Sequence, residues 1–275
     1  LGALMAQRRS IAVVGTHGKG TVSGAIAWLL DQAGWEPGYI IGGLLENFTN
    51  NARDGARWIV AEVDESDGSL VNTKPEVAVL NNLELDHLNY YPDWTALETA
   101  LVRFFEDNDR LELAVFNADD TGARRIMERV SHLAQGERPV RIVSFGFESD
   151  DVDLRGGALH TSKMSARFEV FEQQAGATQR LGDATTSLPG AYNASNLLGA
   201  LTTCLTLGVP FETLAAALPS YRGLENRFTL VEASGVEVVK DYISHPTGIR
   251  RVLQAARSQA IGEVVAVFKP YRFTM

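Results

Sequence analysis

Between residues 10 and 150, short β-branched or apolar runs alternate with segments of helical spacing, and this alternation restricts the fold more than any other feature. "SIAVV", "WIVAEV", "EVAVLNN", "LAVFN" and "RIVSFG" read as buried strands. The run "VSGAIAWLLDQAG", with Gly34 placed as a C-cap, and the segments Trp94 to Glu106 and Thr121 to Ala134 read as helices. Strands separated by helices imply βαβ crossovers and a parallel sheet covered on both faces. The predicted fold class is therefore α/β: a mostly parallel, P-loop-type sheet with helices on both faces. Ligands of such sheets sit beyond the carboxyl ends of the strands. Residues 151–187 alternate differently and read as a small antiparallel excursion. Two helices follow, in "NASNLLGALTTCLTLG" and "PFETLAAAL". The polar joint "SYRGLENRF" suggests a boundary, giving a central domain over 1–225 and an incomplete second α/β domain over 226–275. That second part is expected to hold a hairpin in "TLVEASGVEVVKDY", a helix in "TGIRRVLQAARSQ" and a strand in "EVVAVF".

The stretch "VVGTHGKGTV" (13–22) joins the first strand to the first long helix. Glycines let backbone N–H groups approach an anion, the helix N-terminus adds its positive end, and Lys19 can reach outer phosphates. The spacing is shorter than the full phosphate-loop signature. It also fits a tight strand-to-helix turn with a solvated lysine. Gly20 stands where the signature carries a metal-binding hydroxyl, so Thr21 substitutes or other groups hold the metal. Carboxylates at neighbouring strand ends are the expected alternative. "WIVAEVDESDGS" supplies Glu62, Asp64, Glu65 and Asp67, and strand alternation would put Glu62 and Asp64 on one side. "NNLELDHLNYY" supplies Asn82, Glu84, Asp86 and His87. Either segment alone fits a hydrophilic loop. With the phosphate loop they form a Mg²⁺–nucleotide constellation, since Mg²⁺ takes oxygen ligands from one or two carboxylates plus phosphate and water. Lys19→Ala is expected to abolish ATP turnover and leave the fold intact, because a loop lysine is not a core residue.

These segments resemble the Mur ligases, ATP-dependent amide-bond-forming enzymes of peptidoglycan synthesis, and look most like the branches that add L-alanine or murein peptide to UDP-N-acetylmuramate. "GTHGKGTVS" is similar to their GTHGKTTTS, "AEVDESDGS" to EADESD, and "NNLELDH" to TNIEADH. "LPGAYNASN" resembles PGxHNxxNA, "YRGLENRF" resembles GxxRRF, "KDYISHPT" resembles DDYGHHPT, and "VFKPYRFT" resembles FQPHRYTR, all in the family's order. The resemblance implies ATP and Mg²⁺ as cofactors. It puts Thr16, His17, Gly18, Lys19, Gly20 and Thr21 at the ATP phosphates, and Thr21, Glu62 and His87 at the metal. Asn193 and Asn196 would lie near adenine, and Arg227 near the phosphates. Asp241 and His245 would approach ribose and substrate, and Arg272 would bind an incoming carboxylate. Lys19, Glu62, His87 and His245 would carry catalysis. The implied reaction joins an amino acid or peptide amine to a UDP-N-acetylmuramoyl carboxylate through an acyl phosphate, forming ADP. Gly20 gives a GKG[ST] pattern similar to folylpolyglutamate synthase, so a γ-glutamyl-type ligase is one alternative. A nucleotide-binding module without catalysis is another, since Asn226 and Met275 stand at arginine positions of the family.

The net charge of -9 argues against non-specific nucleic-acid binding, which needs a basic face to displace counterions. Small-molecule substrates are the expected partners. A single cysteine, Cys204, excludes an internal disulfide framework, and its apolar helical context suggests a buried thiol. No apolar run approaches the roughly 18 residues of a membrane span, and no secretory signal is visible. No membrane partner is therefore expected, and the cytoplasm is the expected location. Leu1 in place of Met, together with the missing part of the family pattern for UDP-sugar binding, leads to the expectation that the chain is part of a longer protein.

Overall fold

The structure, a computed structural model, describes residues 1–174 and 176–269. In chain order the elements are α1 (Gly2–Met5), β1 (Arg9–Val14), α2 (Lys19–Gln32), β2 (Gly38–Leu45), β3 (Asn50–Arg53), β4 (Trp58–Glu62) and β5 (Val77–Leu80). Then come α3 (Trp94–Glu106), β6 (Leu113–Asn117), α4 (Thr121–Val130), β7 (Arg141–Gly146), β8 (Leu154–Ser162), β9 (Ser165–Gln174) and β10 (Ala177–Thr186). The chain continues through α5 (Ala191–Thr206), α6 (Phe211–Ala217), β11 (Thr229–Ala233), β12 (Val236–Lys240) and α7 (Pro246–Gln259).

Ten strands form one sheet in the order β10-β9-β8-β7-β6-β5-β1-β4-β2-β3. The pairs from β2 through β4, β1, β5, β6 and β7 to β8 are parallel; β2–β3, β8–β9 and β9–β10 are antiparallel. The alternating side chains of β1 explain the layering. Ile11 and Val13 join one buried cluster with α2 and α5, while Ala12 and Val14 join the other with α3 and α4. Helices therefore cover both faces, as the α/β reading predicts. Cys204 is fully buried on α5.

Three features differ from the sequence reading. The 151–187 excursion is not small: β8, β9 and β10 extend the main sheet, with β8 continuing it in parallel beside β7. The β2–β3 hairpin was not expected, because Gly42–Gly43 interrupts its apolar run. Residues 263–268 form no strand; Val265 and Val267 are exposed, and among the described residues no strand lies alongside to complete a ladder. The β11–β12 hairpin and α7 form as expected, the hairpin as a separate two-stranded sheet.

The register sets the site. Val13 on β1 stands beside Glu62 on β4, and Val14 beside Leu80 on β5. The three strands thus end level at one edge, with β1 in the middle.

Candidate active site

The turn after β1 is built around two glycines. Gly15 (φ 132) passes so close to the β5 exit that a Cβ there would lie 2.6 Å from the Asn82 carbonyl oxygen. Gly18 (φ 76) precedes α2, and a Cβ there would meet the Asn196 side chain at 2.6 Å. The loop is stitched to the segment after β5. His17 N–H donates to Asn82 Oδ1 (2.7 Å), Asn82 Nδ2 donates to the His17 carbonyl (2.8 Å), and Glu84 N–H donates to Thr16 Oγ1 (2.9 Å). No side chain caps α2 and its first turn holds no acid, so its leading N–H groups face the cavity without a built-in anion.

Lys19 is only 8% exposed. Its Nζ lies 2.9 Å from Glu65 Oε2 and 2.9 Å from Asp64 Oδ1. Burial alone would lower its pKa; the two carboxylates outweigh that and raise it above the ordinary lysine value. The same lysine, with the Ser66 hydroxyl, outweighs burial at Asp64 and lowers its carboxyl to about 2. This corrects the expectation that Lys19 can be removed without cost to the fold. Removing it would strand a buried Glu65 carboxylate.

Glu65 is 2% exposed, and the Tyr91 hydroxyl holds its backbone carbonyl at 2.8 Å. Its Oε1 is buried and has no hydrogen-bond partner. His87 Nε2 lies 3.6 Å from that oxygen, and the His87 pKa is raised, chiefly by Glu65. Donor atoms of Asp64, Glu65 and His87 all lie within 4.8 Å of one another. An orphaned buried carboxylate oxygen beside a second carboxylate and an imidazole fits a hard divalent cation that also takes phosphate and water ligands.

Of the expected Thr21–Glu62–His87 set, only His87 belongs to this cluster, while all three line the same cavity. β4 ends at Glu62, so strand alternation does not reach Asp64, and the chain turns to bring Glu65 under the lysine instead. Glu62 Oε2 accepts the Gly42 N–H at 2.7 Å. Its carboxylate also explains Gly20: a Cβ there would lie 3.2 Å from Glu62 Oε2 and 3.1 Å from Leu224 Cδ2. A side chain there requires Leu224 and Glu62 to give by a few tenths of an ångström. Thr21 is buried, and its carbonyl accepts the Tyr221 hydroxyl at 3.0 Å.

The remaining predicted residues approach from α5 and the C-terminal segment. Asn196 Oδ1 accepts from Asn81 Nδ2 at 2.7 Å, and Asn193 Nδ2 donates to the Pro189 carbonyl at 2.8 Å. Arg227 Nη1 donates to the Tyr242 carbonyl at 2.6 Å and lies 3.6 Å from Asp241 Oδ1. Burial raises the Asp241 pKa, and that Oδ1 is also buried without a hydrogen bond. His245 Nδ1 lies 3.0 Å from Glu84 Oε2. A cavity of about 790 Å³ is lined by Thr16, His17, Gly18, Lys19, Gly20, Thr21, Glu62, His87, Asn193, Asn196, Arg227, Asp241 and His245. Arg272 lies outside the described residues. Sequence reasoning did not single out Leu224 or Arg251, which line the same cavity. It named Asp64, Glu65 and Glu84 only as members of acidic runs.

A strand, a glycine turn, a buried lysine at a helix start and acid-bearing tips on both neighbouring strands define an α/β protein with a phosphate-loop-type turn. The sequence model of the Mur ligase middle domain matches residues 13–204, and the chain belongs to that family. Among known relatives, a UDP-N-acetylmuramate–L-alanine ligase of Solidesulfovibrio magneticus is 38% identical over 277 residues, covering 100% of this chain and 58% of that protein. One of Bradyrhizobium sp. is 34% identical over 278 residues, with 100% and 58% covered. The chain therefore spans less than two thirds of the length of these relatives. The crystal structure of a UDP-N-acetylmuramate–alanine ligase from Thermotoga maritima superposes with a TM-score of 0.76 at 23% identity, covering 93% of this chain and 55% of that one. That likeness concerns the fold.

Proposed function

We propose that this chain is the ATP-binding part of an ADP-forming ligase that joins an amino acid or peptide amine to a UDP-N-acetylmuramoyl carboxylate. The observation that carries the reading is the Lys19 amine, buried between Asp64 and Glu65 at the start of α2 and sharing one cavity with His87 and Arg227. In this reading residues 1–225 form the nucleotide-binding domain and 226–275 begin a second domain, of which Arg227, Asp241 and His245 face the same cavity. The protein works in the cytoplasm, where ATP and UDP-sugars are supplied.

Lys19 and the α2 amides bind the β- and γ-phosphates and offset charge on the transferring phosphoryl group. Asp64, Glu65 and His87 would hold Mg²⁺, which when bound neutralises phosphate charge. Glu62 lines the same cavity and would add negative charge beside the metal. Asn193 and Asn196 lie on the adenine side. The substrate carboxylate attacks the γ-phosphorus, the bond to the ADP oxygen breaks, and an acyl phosphate forms. The amine then attacks the acyl carbon, phosphate leaves and the amine proton is released. Closure of the C-terminal part over the cavity aligns the two substrates and excludes water.

The test is ADP release by the protein of the full reading frame with UDP-N-acetylmuramate and L-alanine. ADP formation dependent on both acceptor and amine is the expected result. ADP formation only with a folate-type or other γ-glutamyl carboxylate would assign the alternative ligase class. Tight ATP binding with no ADP release on any acceptor would reduce the chain to a binding module.

A further inference from the structure

A second group of ligand-type side chains, two of which line the cavity, shares no residue with the Lys19 cluster. We propose that His17 Nε2, Glu84 Oε2 and His245 Nδ1 form a binding site for a zinc-class divalent metal ion that ties the phosphate loop to the start of α7.

The geometry carries it. Glu84 Oε2 lies 3.1 Å from His17 Nε2 and 3.0 Å from His245 Nδ1, and the imidazole centroids are 4.6 Å apart. All three donor atoms fall within 4.8 Å of one another. Ligands at about 2.0–2.1 Å from a tetrahedral ion sit roughly 3.3 Å apart, so little movement is needed. Two imidazoles and one carboxylate suit zinc, cobalt or nickel rather than magnesium.

Burial lowers the His17 pKa, opposed by the hydrogen bond and charge of Glu84. Burial opposes ionisation of Glu84, but hydrogen bonds from His17 and Thr247 outweigh it and lower the Glu84 pKa. His245 caps α7, its Nδ1 accepting the Thr247 N–H at 3.4 Å. Glu84 Oε2 lies 3.0 Å from the same nitrogen, so a cation bound between them would contact both atoms in place of this long cap bond. Two of the three ligands are held in advance. Thr16 binds the Glu84 backbone through both its N–H and its carbonyl, and Asn82 brackets the His17 peptide. Only His245 comes from the C-terminal segment, so the ion acts as a latch between the two.

The test uses tag-free protein without nucleotide, in excess Mg²⁺ to occupy the harder site, titrated with Co²⁺ and followed by the visible d–d bands of a tetrahedral ion. Stoichiometric bands are expected, together with a Tm rise on adding Zn²⁺. Both should be lost in His245→Gln and Glu84→Gln and kept in His87→Gln, with circular dichroism confirming that each variant folds. Three results overturn the proposal: absence of bands, bands that survive in His245→Gln, or bands that vanish in His87→Gln. None of these bears on ligase activity, which is measured separately.

Discussion

Two ionisable clusters flank the same glycine turn, and they differ in what balances their charge. In the first, Lys19 lies between Asp64 and Glu65, with His87 beyond, so a fixed cation is already built in and one buried Glu65 oxygen is left over. In the second, a single carboxylate, Glu84, lies between the imidazoles of His17 and His245, with Arg251 as the nearby cation acting on His17. The first has the oxygen-rich chemistry of a Mg²⁺–phosphate site. The second has the nitrogen-rich chemistry of a borderline metal. Strand register brings both to one edge, because β1 lies between β4 and β5. One turn can thus serve two ion chemistries, selected by the residues that each neighbouring loop presents.

The largest effect should come from removing the cation of the first cluster. Lys19→Ala is expected to weaken ATP binding about 100-fold or more and to destabilise the fold by about 3–5 kcal/mol, because Glu65 loses its buried partner. Adding Glu65→Gln should recover much of the stability and none of the binding, as read by calorimetry and denaturant unfolding. Full stability in the single variant would mean that the buried pair is not formed. His87→Gln should raise the Mg²⁺ concentration needed for half-maximal ATP binding about 10-fold; an unchanged requirement would remove His87 from the metal.

Gly20→Thr tests whether the space in the turn matters. The added side chain presses on Leu224 and Glu62 and should cost about 1–3 kcal/mol, offset in part by helix propensity. A more stable variant would refute the steric account. The smallest effect concerns pH. Burial lowers the His17 pKa from 6.5, so the unfolded chain takes up a proton that the folded chain resists. In metal-free buffer, stability should therefore fall as pH drops below 6.5 toward the lowered folded value, and the fall should be shallower in His17→Asn. Parallel stability curves for the two proteins would show that His17 is not desolvated.

The parallel sheet was legible because "SIAVV", "WIVAEV" and "EVAVLNN" are apolar on both faces, as strands buried between two helical layers must be. α3 was legible to the residue, since its apolar stripe starts directly after the Asp93 cap. The β2–β3 hairpin was not, because Gly42–Gly43 removes side-chain pattern where the backbone must pass close to Glu62 and Leu224. In the site, the glycine turn and the acidic strand ends could be read from position alone. Which carboxylate meets Lys19 could not, since periodicity stops where β4 stops and the following turn decides. The His17–Glu84–His245 contact joins residues far apart in the chain, and no local pattern encodes it.

The most direct test of the account is ATP affinity with and without Mg²⁺, measured by isothermal titration calorimetry on the wild-type protein and Glu65→Gln. The geometry predicts that Mg²⁺ tightens ATP binding to the wild type and that this gain disappears in the variant. The same Mg²⁺-dependent gain in both proteins would contradict it.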